Sequence, residues 1–191
     1  MKALRILKYS VLTLGIITVG LFLHYNLPRT DVVQITGTDV KRIDRREPGQ
    51  IERTRDVRFI STVTRNGKVK VFRNEDTRWG WPPYFKFNSA DITGEAQAFI
   101  ERPEKPWVRA RYYGWRIKIF SLFPNLISLK IVDKDYTHFP WFNIIFLTVL
   151  AIGIFFLFLF VRRFVHRLRQ SARFQSLSQP VGKKFDRPNK S

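Results

Sequence analysis

Two long apolar stretches stand out in the hydrophobic pattern of the chain. The first covers 9–25, and its charge-free centre extends from Val11 to Leu23. As a helix it would be about 25 Å long, enough for a thin bilayer core. The second covers 140–161, and 16 of its 21 residues after Pro140 are Leu, Ile, Phe or Val. The pattern predicts two transmembrane helices, the second favoured on insertion by on the order of 5–10 kcal/mol.

The flanks of the two helices predict their orientation. Lys2, Arg5 and Lys8 precede the first helix, and the tail after the second has nine Lys or Arg against one Asp. The positive-inside rule therefore places 1–8 and the tail in the cytoplasm of a bacterium, and 26–139 in the periplasm. Bulky residues follow the first helix in place of a small-x-small cleavage site, which predicts an uncleaved signal anchor in the inner membrane.

The first half of the central segment predicts β structure. Val32–Ile35 is a short apolar run that we expect Gly37 to end, and Asp56–Thr64 alternates as a half-buried strand does. Between that strand and the next, Arg65–Lys68 contains Asn-Gly, which favours a two-residue hairpin turn with positive φ. The return strand should consist of residues 68–72.

The second half adds a helix and further strands. Ser89 or Asp91 is expected to cap a short helix that ends near Ile100. Trp107–Phe120 and Leu126–Val132 predict two or three more strands, with turns at Tyr113-Gly114 and at Phe123–Asn125. The fold class is therefore α+β, a membrane protein whose two helices flank a small β-rich domain, either a barrel or a curled sheet. An oligonucleotide/oligosaccharide-binding-like (OB-like) barrel is one member of that class.

The region after the second helix is basic. Residues 162–174 are expected to form an amphipathic juxtamembrane helix, and 175–191 a disordered tail rich in Ser, Gln, Pro and Lys. Four arginines of this helix would contact the headgroups of anionic lipids at the cytoplasmic face. They are Arg162, Arg163, Arg167 and Arg169.

The segment from Arg78 to Phe87, called the aromatic loop below, is the main candidate binding site. Pro82 and Pro83 exclude a helix or a central strand here. Flat aromatic faces beside cations suit a sugar ring, an anionic headgroup or a partner peptide. The candidate residues are Arg78, Trp79, Trp81, Tyr84 and Lys86. The alternative is that Trp79 and Trp81 plug one end of the barrel while Phe85 and Phe87 complete a strand face.

A second candidate surface lies in the second helix. Its small or polar stripe would let another helix approach closely, or would face the protein's own first helix. The stripe consists of Asn143, Leu147, Leu150 and Ala151.

Composition removes several classes of function. The chain has no Cys, so disulfide scaffolds, thiol catalysis and cysteine-ligated metals are excluded. His24, His138 and His166 are expected on two different sides of the bilayer and predict no metal site. The pattern contains no catalytic or nucleotide-binding motif, so we expect no enzyme and no cofactor. The net charge of +19 is divided between the two sides of the membrane and does not indicate nucleic acid.

Several runs resemble a bacterial inner-membrane family known as domain of unknown function fifteen twenty-three. The most specific are Phe72–Thr77, Trp79–Phe87 and Tyr113–Arg116. The resemblance covers about Phe22–Val132, so the second helix and basic tail are expected to be less general. It implies a membrane-anchored protein without known enzymatic activity and supplies no catalytic residues.

These observations predict a non-enzymatic accessory, stabilising or assembly subunit of a larger inner-membrane complex. It would dock on other inner-membrane subunits through its transmembrane helices and the aromatic loop. The alternative is a periplasmic binding module for an anionic lipid or a cell-wall glycan.

Overall fold

The computed structural model of the protein describes residues 2–45 and 53–177, with side chains described for 2–42 and 56–167. The chain divides into two compact units that meet in sequence between Pro140 and Trp141. The elements in chain order are α1 (Lys2–Asn26), β1 (Arg29–Arg45), β2 (Arg53–Thr64), β3 (Val69–Asn74), α2 (Ser89–Glu101), β4 (Trp107–Tyr113), β5 (Asn125–Ile131) and α3 (Trp141–Leu177).

The five strands form a closed barrel in the order β1-β2-β3-β5-β4. Strand β1 closes it by pairing antiparallel with both neighbours, with β4 over Arg29–Gln34 and with β2 from Val33 onwards. The contact between β3 and β5 is parallel. The α+β class and the predicted β-rich domain are confirmed, and the choice between a barrel and a curled sheet is decided for the barrel.

The barrel encloses one apolar core, and α2 covers part of it. Val33, Ile60, Phe72 and Val108 come from four different strands and are completely buried. Helix α2 contributes Ile92 and Ala96 to the same cluster, which also contains Ile35, Ala110, Tyr112 and Leu126. Buried residues alternate with partly buried ones along most of β3 and β4, as expected for strands with one face in the core.

The predicted hairpin between β2 and β3 forms, but its loop has three residues where the sequence favoured two. The Gly67 N–H donates to the Thr64 carbonyl at 2.9 Å, and the Thr64 N–H donates to the Lys68 carbonyl at 2.9 Å. These bonds close a three-residue loop in which Gly67 has a φ of 73°. An L-residue with a side chain is strained there, which explains why the turn requires glycine.

The predicted turn at Tyr113-Gly114 is confirmed, because β4 ends at Tyr113, and the region forms two strands of the barrel, β4 and β5. Two other local predictions are wrong. Strand β1 does not end at Gly37, because the ladder absorbs a register shift between Ile35 and Gly37 and continues opposite β2. Neither Ser89 nor Asp91 caps α2, since the helix begins at Ser89 after Asn88. The Asp76 carboxylate accepts the Ser89 N–H at 2.8 Å in their place.

Helices α1 and α3 each contain a segment long and apolar enough to cross a membrane, Lys2–Asn26 and Trp141–Arg167. Helix α1 begins before the predicted start of the apolar span at residue 9. Helix α3 is continuous from Trp141 to Leu177, so the predicted juxtamembrane helix is part of it and extends three residues beyond 174. Residues 178–191, most of the predicted disordered tail, lie outside the described residues.

Candidate interaction surface

The aromatic loop connects β3 to α2 and is closed at its base by a main-chain bond. The Arg78 N–H donates to the Lys86 carbonyl at 3.0 Å. Gly80 turns the chain back, and a Cβ there would come within 3.0 Å of the Thr77 carbonyl oxygen. Arg78 and Phe85 have φ values of 49° and 48°, which side-chain-bearing residues adopt only where the surroundings hold them. The loop is therefore fixed in shape by its own contacts.

The outer face of the aromatic loop consists of large apolar rings in solvent. Trp79 is 82% exposed and Trp81 is 65% exposed. Phe85 and Phe87 pack edge-on against Trp79, with ring centroids 5.5 and 5.6 Å away, and both remain about half exposed. Trp79 does not plug the barrel, and the phenylalanines do not belong to a strand, so the packing alternative is wrong for these three residues.

Lys86 corrects the predicted binding set, because its side chain points inward. It is 4% exposed, and its ammonium donates to Asn74 Oδ1 at 2.5 Å and to the Leu126 carbonyl at 2.6 Å. Burial lowers the pKa of Lys86 to about 8, opposed in part by the Asp76 carboxylate. Lys86 therefore holds the aromatic loop on the barrel and does not offer a surface cation.

Tyr84 is also a supporting residue more than a binding residue. Its ring stacks on Tyr113 with centroids 4.9 Å apart, and its hydroxyl donates to the Asn26 carbonyl at the end of α1. Burial raises the pKa of Tyr84 to about 12, with Arg111 opposing the shift. Of the five predicted residues, Trp79, Trp81 and Arg78 lie on the outer side of the loop.

The end of α1 joins the barrel through an aromatic junction that the sequence did not indicate. Phe22 stacks on Trp81 with centroids 5.6 Å apart, and Tyr25 meets the Trp115 ring edge-on at 5.4 Å. The Trp115 indole N–H donates to His24 Nδ1 at 2.7 Å. The aromatic loop and the segment after β4 are therefore both attached to the last turns of the same helix.

A cavity of about 210 Å³ lies at this end of the barrel. Its wall combines aromatic rings with charged and amide groups: Tyr25, Arg73, Glu75, Asp76, Thr77, Trp81, Tyr113, Phe123 and Asn125. Arg73 forms an ion pair with Glu75. The Asn125 amide donates to the Glu75 carbonyl at 3.0 Å and to the Tyr113 hydroxyl at 2.9 Å. The wall of the cavity therefore contains hydrogen-bond donors, acceptors and aromatic rings together.

The remaining predicted residues lie on α3. Asn143, Leu147, Leu150 and Ala151 follow helical spacing and share one face, and Asn143 and Leu150 are partly buried within the unit. Arg162, Arg163 and Arg167 are exposed, whereas the side chain of Arg169 lies outside the described residues. Within 2–42 and 56–167, no three His, Asp or Glu side chains are grouped as a metal site would need.

The comparisons with known proteins confirm the family resemblance and extend it over more of the chain. The sequence model of a family described as "Protein of unknown function (DUF1523)" matches residues 4–165. An uncharacterized protein of Haemophilus influenzae is 43% identical over 119 residues, which is 60% of this chain and 67% of that protein. No solved structure matches the chain. The family match includes most of α1 and more than half of α3, so the expectation that the second helix is less general was wrong.

Proposed function

We propose that this chain, which belongs to that family of proteins of unknown function, is a non-enzymatic accessory or assembly subunit of a larger bacterial inner-membrane complex. The observation that carries the proposal is the outer face of the aromatic loop. Two adjacent tryptophans, Trp79 and Trp81, stay largely in solvent although their loop is held rigidly. Exposed, ordered aromatic groups of this kind are typical of the centres of protein interfaces.

The proposed topology places both chain ends in the cytoplasm and the barrel in the periplasm. The length and apolar character of α1 and α3 support two membrane spans. The basic residues before α1 and after the apolar part of α3 support the orientation. We further assign the barrel to the OB-like class, which its closed five-stranded order and the helix between β3 and β4 support.

Recovery of partners from native membranes tests the subunit proposal. The full chain with a C-terminal tag would be purified in mild detergent, and the proteins that accompany it identified by mass spectrometry. We expect a defined set of membrane subunits with the wild type and a strong loss of them with Trp79→Ala. Recovery of the protein alone, or only as its own oligomer, would contradict the proposal.

Val69→Ala is the matched control for that experiment. Val69 is 72% exposed but lies at the start of β3, remote from the aromatic loop along the strand. Its truncation should leave partner recovery unchanged. If both variants lose the same partners, the loss reflects the removal of surface apolar area in general, and the aromatic loop has no special part in docking.

The cavity supports a second candidate function, a binding module for a glycan or a lipid-borne sugar. Its volume suits a single ring, and aromatic rings together with carboxylate, guanidinium and amide groups are the usual surroundings of a sugar. Titration of the full chain in detergent with cell-wall saccharides and glycolipid headgroups would be followed by tryptophan fluorescence. Glu75→Gln should weaken any response, and a flat titration across the series would contradict this candidate.

A further inference from the structure

A short hairpin after β4 presents apolar side chains to the outside. The hairpin comprises residues Trp115–Leu122, and we call it the tip hairpin. Ile117 and Leu122 exchange two main-chain bonds, at 3.2 and 3.0 Å, and the Ser121 N–H donates to the Lys118 carbonyl at 3.1 Å. The turn is therefore a defined structure and holds Ile119 and Phe120 at its end.

Ile119 and Phe120 are among the most exposed large apolar side chains of the barrel unit. Ile119 is 89% exposed and Phe120 is 71% exposed. At about 25 cal/mol per Å² of apolar surface, keeping two such neighbours in water is unfavourable compared with burying them. A turn built only to connect two strands has no need of them, since polar residues and glycine serve turns better.

The tip hairpin is attached to the end of α1 and not only to the barrel. Trp115 bonds His24 and packs on Tyr25, and the Gly114 N–H donates to the Tyr25 carbonyl at 2.9 Å. Helix α1 has 25 residues and is about 37 Å long, more than the roughly 30 Å of a bilayer core. If α1 spans the bilayer, its last turn and the tip hairpin both lie at the interface.

The charges around the hairpin fit a phospholipid surface. The sequence from Gly114 to Val132 contains no Asp or Glu but contains Arg116, Lys118 and Lys130. The Arg116 guanidinium lies 3.9 Å from the centre of the Phe123 ring and donates to the Leu122 carbonyl, so it also stiffens the base of the hairpin. Apolar tips flanked by cations, with Trp and Tyr nearby, are typical of segments in the headgroup region.

We propose that the tip hairpin inserts Ile119 and Phe120 into the phospholipid interface beside α1 and so fixes the height and tilt of the barrel above the bilayer. Phe22, which lies on α1 just before the junction, is also half exposed. The inference rests on the proposed membrane span of α1. The tip hairpin is proposed to contact lipid, whereas the aromatic loop is proposed to bind a protein partner.

The experiment uses the absence of cysteine from the chain. Phe120→Cys in the full chain would be labelled with an environment-sensitive nitrobenzoxadiazole dye and placed in nanodiscs of phosphatidylethanolamine and phosphatidylglycerol. We expect the dye to emit at a shorter wavelength than it does in water. Most of this emission should be quenched when doxyl-labelled phospholipids replace part of the lipid. Circular dichroism would verify that the labelled variant is folded.

Two matched positions serve as controls. The first control is Val69→Cys, because Val69 is as exposed as Phe120. Val69 is the first residue of β3, five residues or about 17 Å from Asn74 at the end of that strand. It should give water-like emission without quenching. Leu14→Cys, in the middle of α1, should be quenched strongly if α1 spans the bilayer.

The outcomes separate this inference from the proposed topology. Quenching at Leu14 and at Phe120 supports the insertion. Quenching at Leu14 with water-like emission at Phe120 overturns the insertion and leaves the membrane span intact. Short-wavelength emission at Phe120 without doxyl quenching overturns it in favour of a protein contact. Absence of quenching at both positions overturns the span and the insertion together.

Discussion

The aromatic loop and the tip hairpin both carry exposed apolar side chains near the end of α1, yet they are held in different ways. The aromatic loop is fixed from within the barrel, by the buried Lys86 ammonium between Asn74 Oδ1 and the Leu126 carbonyl. The tip hairpin is fixed from outside the barrel, by the bond from Trp115 to His24 of α1. Both surfaces contact the end of α1, but only the aromatic loop is also held by a buried charge inside the barrel.

This difference matters for how each surface would respond to its surroundings. The buried bonds of Lys86 hold the aromatic loop on the barrel in addition to its contacts with α1 through Tyr84 and Trp81, which suits recognition of a protein partner. A hairpin held by a helix end changes position when that helix tilts, which suits a contact with lipid. Separate loss of one surface without the other is the sharpest test of this distinction.

The largest expected effect is that of Asn74→Ala. Asn74 is buried, accepts from Lys86, and donates to the Ser89 carbonyl at 2.7 Å and to Thr93 Oγ1 at 2.9 Å. Its truncation leaves a buried ammonium with one acceptor fewer, so we expect the free energy of unfolding to fall by about 3 kcal/mol. Urea unfolding measures the loss. Hydrogen exchange should quicken in 78–87 and not in 115–122, and equal quickening would contradict the distinction.

The next prediction concerns the pH dependence of stability. The pKa of Lys86 is about 8 in the folded protein, against an ordinary value of 10.5. Between these two pH values the unfolded chain therefore binds more protons than the folded protein does. Stability should therefore rise from pH 8 to pH 10, by up to about 1 kcal/mol per pH unit. Urea unfolding at several pH values measures this rise, and Lys86→Met should remove it. A rise of the same size in both proteins would show that Lys86 is not its source.

A smaller effect is expected for Trp115→Phe. The variant keeps a ring beside Tyr25 but loses the N–H that His24 accepts, at a cost of about 1 kcal/mol. Hydrogen exchange should quicken in 115–122 and stay the same in 78–87, the reverse of Asn74→Ala. Trp79→Phe is the control, because the Trp79 ring lies largely in solvent. Unchanged exchange in 115–122 would mean that the helix end does not hold the hairpin.

The smallest effect on stability is expected for Trp79→Ala. Its ring loses two edge contacts, with Phe85 and Phe87, but little buried area, so the free energy of unfolding should change by less than about 1 kcal/mol. Thermal unfolding in detergent measures the change. A loss as large as that of Asn74→Ala would show that Trp79 is a packing residue after all, and would weaken the proposal that it binds a partner.

Features that depend on neighbouring residues could be predicted from the sequence. The turn at Gly67 follows from Asn-Gly between two alternating runs, and the exposed loop follows from Pro82 and Pro83. The apolar spans of α1 and α3 also follow from continuous runs of hydrophobic residues. In each case the physical cause lies within a few residues of the feature.

Features that depend on distant residues could not be predicted from the sequence. Lys86 looks like any surface lysine beside aromatic rings, and only the folded barrel brings the Leu126 carbonyl to it. The N-terminal N–H of α2 is satisfied by Asp76 from before the aromatic loop, where sequence spacing favoured Ser89 or Asp91. The junction of His24 with Trp115 joins residues 91 positions apart and has no local signal.

The length of β1 has a consequence for how the domain reaches its final form. Residues Arg29–Gln34 pair with Trp107–Tyr112, more than seventy positions later, whereas the rest of β1 pairs with the nearby β2. During synthesis the β1-β2-β3 meander can assemble early, but its first edge stays open until β4 has been made. An open edge is a template for pairing with other chains. The growing protein is thus most exposed to misassembly before β4 arrives, and anything that shields Arg29–Gln34 in that interval would raise the yield of correctly closed barrels.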